Sequence, residues 1–392
     1  MRINQPELIV EGQLAKVCAP VEFRDGSRHL VWYSTDLQYA DYLTIEKLDA
    51  FLLGLLNYAM QANAPIHLDG AVSAKLYYNL THYYMRIIAH VDSSLQPVEI
   101  LPKELDNGAS VQTKGGVATG FSGGVDSFCV LADHLYREVP AGYKLTHLVF
   151  NNVGAHVGGG RRLFEERYQR LLPLANELNL PLIKVDSNLH ELSEMSFPLA
   201  DSPRNISCAL LLQKLFGKYL YASSFRYQDC NVGPAYDLAF TDPLSVHLLS
   251  TETLECISSG GQYSRVEKLS RLVEVEPSHR YLDVCVGTKN AGNCSLCWKC
   301  ARTLLTLELL GLVQPYSRVF RLERYRAIRD RFIVNMLSNN KDPLLKEVVR
   351  LAAERSYHFP LLARIKGACY RLLAPNKRFR VPRRIKRRLE QQ

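Results

Sequence analysis

The sequence predicts an α/β protein: a doubly wound parallel sheet, preceded by a small α+β domain and followed by a helical, basic region. Three observations carry this. Strand-like and helix-like runs alternate from Val117 onward, at a spacing that implies crossover connections and so parallel pairing. A glycine-rich turn, "SGGVDS", sits at the first strand-to-helix junction of that series. With 47% hydrophobic and 22% charged residues over 392 positions, the chain has the apolar content of a folded protein with more than one core.

Taken in order, "VEFRDGSRHLVWYS" alternates about Asp25 and Gly26, a pair favoured in hairpins whose turn needs positive φ. Apolar residues then recur at helical spacing from Thr44 to Ala62 and from Ala74 to His90. The most apolar stretch, Leu48 to Met60, is too short for a bilayer and is broken by Asp49 and Asn57, so it reads as a buried helix. "QPVEILP" reads as a strand, and "KELDNGASVQTKGG" as a polar boundary loop. Residues 1–112 are therefore expected to form a separate α+β domain; they carry no motif that points to a role.

The alternating part follows as residues 113–313. "VATGFS" is a strand and "VDSFCVLADHLYREV" a helix; "LTHLVFNN" is a strand and "GRRLFEERYQRLLPLANELN" a helix. "LPLIKVDSN" is the third strand, "NISCALLLQKLFGKYL" the third helix, and "YLYASS" the fourth strand. After Gly311 the pattern is helical and increasingly basic, which sets off residues 314–392.

The glycine turn has a physical reading. Glycines between a buried strand and a helix let several backbone amides face one concavity, and the helix adds the positive end of its dipole. Serines on either side add hydroxyls, and the sum is an anion cradle; the competing reading is an ordinary tight turn. Its place at the carboxyl end of a parallel strand favours a ligand. "GGVATGFS" has the outer spacing of another phosphate loop, but Phe121 stands where that loop needs lysine.

A second constellation is "DVCVGTKNAGNCSLCWKC". Cys285 is followed by Cys294, Cys297 and Cys300, so four of the ten cysteines lie close together, at spacing that brings thiolates around one tetrahedral ion. Zinc fits best, with iron–sulfur the rival; the next position at ferredoxin spacing is Leu304, not cysteine.

With both motifs in hand, the chain resembles the ATP-pyrophosphatase superfamily, whose "SGGVDS"-type PP-loop lies in a HUP-type sheet. Within it, the cysteine spacing is similar to the zinc knuckle of 7-cyano-7-deazaguanine synthase-like proteins. The resemblance covers residues 116 to 312. "PRNIS" resembles that family's R-N segment, and "YSRVEKL" its S-K-A-E segment with Arg265 in the lysine's place. What it implies is a magnesium–ATP site in which Ser122, Gly123, Gly124, Val125, Asp126 and Ser127 hold the outer phosphates. Asp126, Arg204 and Arg265 would then act on the reacting phosphate, and Cys285, Cys294, Cys297 and Cys300 would bind zinc. Each arginine also admits a plain surface salt bridge. Where the family has G-x-N-x-x-D, this chain has "ASSFRYQDCNVGPAYDLAFTDPL", so the deazapurine substrate does not carry over.

The implied activity is that of an ATP-dependent C–N ligase: a small-molecule or peptide carboxylate is adenylated, pyrophosphate leaves, and a nitrogen nucleophile displaces AMP. The nitrogen would come from ammonia, an amine or a partner glutaminase. The alternatives are a tRNA-modifying thiolase and a non-catalytic nucleotide-binding adaptor. His156 reads either as a substrate contact or as loop decoration, and Cys129 as core packing.

The net charge of +9 is concentrated. Eleven Lys or Arg against one acid between Arg364 and Gln392 give +10, leaving 9 − 10 = −1 for the rest. Such a tail attracts RNA, anionic lipid or an acidic partner, or is simply solvated. No apolar signal core follows the N-terminal arginine, so the expected compartment is the cytoplasm, with no membrane span; a homodimer is compatible with this reading.

Overall fold

A computed structural model describes the chain apart from residues 157–159, 193–194, 288–290, 340, 374–378, 383–385 and 387–392. Its strands are β1 (Arg2–Ile3), β2 (Glu7–Glu11), β3 (Leu14–Glu22), β4 (Arg28–Asp36), β5 (Ile66–Ser73), β6 (Ile100–Asp106), β7 (Gly116–Gly120), β8 (His147–Asn152), β9 (Leu182–Ser187), β10 (Phe216–Ala222) and β11 (Glu255–Ser259). In the first half of the chain the helices are α1 (Asp49–Gln61), α2 (Ala74–Asn79), α3 (Met85–Val91), α4 (Val125–His134), α5 (Gly160–Glu177) and α6 (Asp201–Leu211). The second half adds α7 (Asp242–Ser245), α8 (Arg265–Leu272), α9 (Ser278–Tyr281), α10 (Trp298–Leu310), α11 (Leu322–Ser338), α12 (Pro343–Glu354) and α13 (Leu361–Leu373).

All strands belong to one sheet, in the order β11-β10-β7-β8-β9-β4-β3-β1-β5-β6, with β2 on β3. The run from β11 to β9 is parallel throughout. Numbered from β7, its order is 5-4-1-2-3, so the chain reverses direction across the sheet between β7 and β10. That switch point is where open α/β sheets bind ligands.

Alternation along the strands separates two cores. Val117, Leu148, Phe150, Leu182 and Leu220 pack with α4, α5, α8 and α10. Their neighbours Ala118, Val149, Ile183 and Tyr219 pack with α1 and α6 on the opposite face. Helices therefore cover both faces, as the alternating sequence predicts.

The expected boundary at 112/113 does not divide the sheet. Tyr33 and Ser34 of β4 pair antiparallel with Ser187 and Asp186 of β9. Tyr33 Oη donates to Ala50 O of α1 at 3.0 Å and lies 2.9 Å from Ser207 Oγ of α6. Residues 44–48 are not helical as expected, because Lys47 is drawn into a buried polar knot: its Nζ lies 3.3 Å from Asp106 and 2.9 Å from Ser73 Oγ. Asp49, the first residue of α1, accepts from the amide of Ser73 and from Gln213 beyond the end of α6. The third helix of the alternating part is also shifted, to 201–211, because Phe216 onward is claimed by β10.

Candidate anion site and metal centre

β7 ends at Gly120, and the chain reverses through Ser122-Gly123-Gly124 into α4. Gly123 has φ +72°, and a Cβ there would lie 3.0 Å from Leu171 and 3.3 Å from Tyr281 O, so glycine is required twice over. Phe121 N–H is held by Val149 O, and Gly124 N–H reaches Ser122 Oγ at 3.4 Å. The amides of Gly123, Val125 and Asp126 meet no acceptor among the described residues. They are the orphan donors of a helix start, at the sheet's switch point. Val125 anchors this turn in the core, and Ser127 spends its hydroxyl on Gly124 O at 3.0 Å rather than keeping it free as a donor.

Asp126 stands on the first turn of α4 and binds two cations from α8. Its Oδ2 lies 2.8 Å from Arg265 Nη1, and its Oδ1 lies 2.9 Å from Lys268 Nζ. Burial alone would raise the Asp126 pKa; Arg265 and Lys268 outweigh it and hold the carboxyl below its ordinary range. The start of α8 is fixed by a capping box between Ser264 and Glu267, and by Glu347 of α12, which accepts from the amide of Arg265 at 2.7 Å. Lys268 is fully buried and also donates to Ser223 O, at the carboxyl end of β10. One ammonium thus ties together the elements that follow β7, β10 and β11.

Two more cations, on α10, lie near enough to Arg265 and Asp126 to interact with them electrostatically. Arg302 is 4% exposed, has no ion pair among the described residues, and leaves Nη1 without a partner. Burial, then the Arg265 charge, pull its pKa down to about 10. Lys299 is shifted down by burial and by Arg302 and Arg265. Asp126 thus contacts Arg265 and Lys268, and the charges of Lys299 and Arg302 act on the same cluster, alongside the carboxylates of Asp342 and Glu347.

No motif in the sequence marks Lys268, Lys299 or Arg302. Each belongs to an i, i+3 pair of cations, Arg265 with Lys268 and Lys299 with Arg302, and that spacing is the signal in the sequence. Arg265 is brought to Asp126 as expected. Arg204 lies on α6, on the other face of the sheet, buried beside Gly154 just past the end of β8; no hydrogen bond joins it to the glycine turn. Its helix starts at Asp201 instead of opening at Arg204.

The four cysteines converge. Their Sγ atoms all lie within 4.8 Å of one another, and those of Cys285 and Cys297 are 4.0 Å apart. Zinc–sulfur bonds of about 2.3 Å in a tetrahedron put sulfurs about 3.8 Å apart, so the cluster suits zinc. Amides of Gly287, Cys294, Leu296, Cys297 and Cys300 donate to the sulfurs at 3.1 to 3.5 Å, the donor shell that thiolates need. Leu304 is buried in the core, away from any ligand role.

The glycine turn and the cysteine cluster are joined through the backbone. Asp283 N–H donates to Gly123 O at 2.7 Å, and the Asp283 carboxylate accepts from the amides of Cys285 and Gly292. Cys297 caps α10 and Cys300 lies in its first turn, which carries Lys299; Arg302 opens the second.

The substituted segment adds buried acids. Asp242 is 1% exposed; Ser202 donates to its Oδ1 at 2.7 Å, and Oδ2 has no partner. Burial raises the pKa values of Asp237 and Asp242, and of Asp201 on α6. Cys129 is buried and pushed up to about 11 by that burial, in keeping with a packing role.

His156 is 4% exposed between Phe150 and Phe164, and burial, then Arg167 and His190, lower its pKa to about 4. It is a core residue held neutral. The unfolded chain takes up its proton near pH 6.5, so stability is full above that pH and falls as pH drops from 6.5 to about 4. The loss from this group is about 3 kcal/mol. Unfolding titrations of the protein and its His156→Gln variant should show curves that converge across this window; parallel curves would exclude the burial argument.

Compared with protein-family models, with curated proteins and with solved structures, the chain matches none.

Proposed function

We propose that the protein is an ATP-dependent, adenylate-forming enzyme, in which a carboxylate-type substrate is activated with release of pyrophosphate and then attacked by a nitrogen nucleophile. The observation that carries this reading is the set of unsatisfied amides at Gly123, Val125 and Asp126, at the sheet's switch point and on the turn whose Asp126 binds Arg265 and Lys268.

In this reading the amides take the outer phosphates of magnesium–ATP. Arg265, Lys268, Lys299 and Arg302 offset the charge that builds as pyrophosphate departs. Both oxygens of Asp126 are engaged by Arg265 and Lys268, so its part is to position donors. Such chemistry rests on alignment and charge stabilisation and needs no nucleophilic side chain. Zinc at the cysteine cluster would hold the first turn of α10 in place.

The test is incubation of the purified protein with ATP and a panel of carboxylates, with and without ammonia, following AMP and pyrophosphate. Arg302→Met should lower pyrophosphate release about 100-fold, as expected for loss of a preorganised charge at a reacting phosphate. Formation of ADP and phosphate, or no nucleotide turnover with a bound nucleotide, would overturn the proposal.

A further inference from the structure

The last described helix, α13, faces the wrong way for an ordinary surface helix. A surface helix normally buries its bulky apolar side and shows its polar one. Here the residues turned toward the protein are small: Ala363 is buried, and a Cβ on Gly367 would lie 2.8 Å from Leu337 Cβ of α11. Arg371 fastens the far end by donating to Leu337 O. That close seat on α11 turns the large side chains outward.

Leu361, Leu362, Ile365 and Leu372 are 66%, 70%, 51% and 85% exposed. At about 100° per residue they fill one sector roughly 100° wide, opposite Ala363 and Gly367. Lys366 flanks that sector on one side, and Arg364 and Arg371 on the other. The chain then continues into its most basic stretch, most of which lies outside the described residues; from Arg364 to Gln392 the balance is +10.

We propose that α13 and the basic tail dock the protein on an anionic membrane surface, with the helix axis in the plane of the bilayer. An apolar sector bordered by cations matches an interfacial helix, whose aliphatic side chains enter the headgroup boundary while lysines and arginines reach the lipid phosphates. RNA would satisfy the cations and leave four aliphatic side chains in water. A second copy would bring two tails of like charge together. No described helix is long and apolar enough to cross a membrane, so the contact lies on the surface.

The experiment is co-sedimentation of the full-length protein with vesicles of phosphatidylcholine alone or mixed with phosphatidylglycerol. Binding is expected only with the anionic lipid, weakening as salt rises, and reduced at least about tenfold by Ile365→Glu combined with Leu372→Glu. Both positions are exposed, so the melting temperature should not move; Ile365→Ser with Leu372→Ser gives the same test without added charge. Equal binding to neutral vesicles, no binding to anionic ones, or binding untouched by both double variants would overturn the proposal. So would loss of RNA binding or of self-association in the double variants, which would assign the stripe to that partner.

Discussion

Asp126→Ala is expected to lower stability by about 3–5 kcal/mol and to make the remaining stability depend strongly on added pyrophosphate. The reason is Lys268. Its ammonium is fully buried, and Asp126 is the carboxylate that neutralises it; removing one member of a buried pair strands the other. Arg265 loses the same partner, and Arg302 already has none among the described residues. A polyanion in the cradle would restore the balance, so millimolar pyrophosphate should recover more stability in the variant than in the parent. Denaturant unfolding of both proteins with and without pyrophosphate measures this. Adding Lys268→Met should return most of the loss, because an apolar replacement of a buried pair is often close to neutral. A loss below about 1 kcal/mol, or equal pyrophosphate dependence in the two proteins, would show that Asp126 is not the carboxylate that offsets these buried cations.

Stripping the metal, or replacing Cys294 by serine, is expected to cost on the order of 3 kcal/mol and at least a tenfold loss of pyrophosphate affinity. The stability loss follows from what the thiolates hold: the loop from Cys285 to Cys294, and the first turn of α10 through Cys297 and Cys300. The rest of α10 is kept by Leu304, Leu305 and Leu307 in the core, so the effect should stay local rather than unfold the chain. The affinity loss follows from position, since Lys299 rides on that first turn and Arg302 directly follows it. Elemental analysis should find one zinc per chain, and calorimetry should resolve pyrophosphate binding before and after chelation. Unchanged affinity in the stripped protein would separate the metal centre from the anion site.

The central architecture was legible because its signals are local. "VATGFS", "LTHLVFNN" and "LPLIKVDSN" are continuous apolar runs bounded by glycine, proline or polar residues, as strands buried on both faces must be, and they are β7, β8 and β9. β11 was missed because "ECISS" carries neither an apolar run nor alternation; neighbouring β10 supplies its pairing. β6 was expected to end near Pro102 but runs on to Asp106, since a proline is tolerated in a strand at the sheet's edge. The helix read as running from Ala74 to His90 is interrupted by a π-helical turn at Leu80–Tyr84, a change of winding with no marker in the apolar spacing.

The candidate site divides the same way. Residue types at short spacing fixed in advance the glycine turn and the four cysteines, because a positive-φ turn and a tetrahedral ion each demand particular residues within a few positions. Which charges meet was decided only by the tertiary structure. Lys268 meets Asp126 because α8 buries it against α4, 142 positions away in the chain, and Arg302 is buried on α10 within electrostatic reach of the same pair. Arg204, equally prominent in sequence, lies on the opposite face because α6 packs against α1. Likewise, residues 1–112 read as a separate unit until the pairing of β4 with β9 joined them to one sheet. Spacing constrains only neighbours along the chain, whereas burial and long-range pairing depend on how whole elements pack, and that packing sets the charge balance of the site.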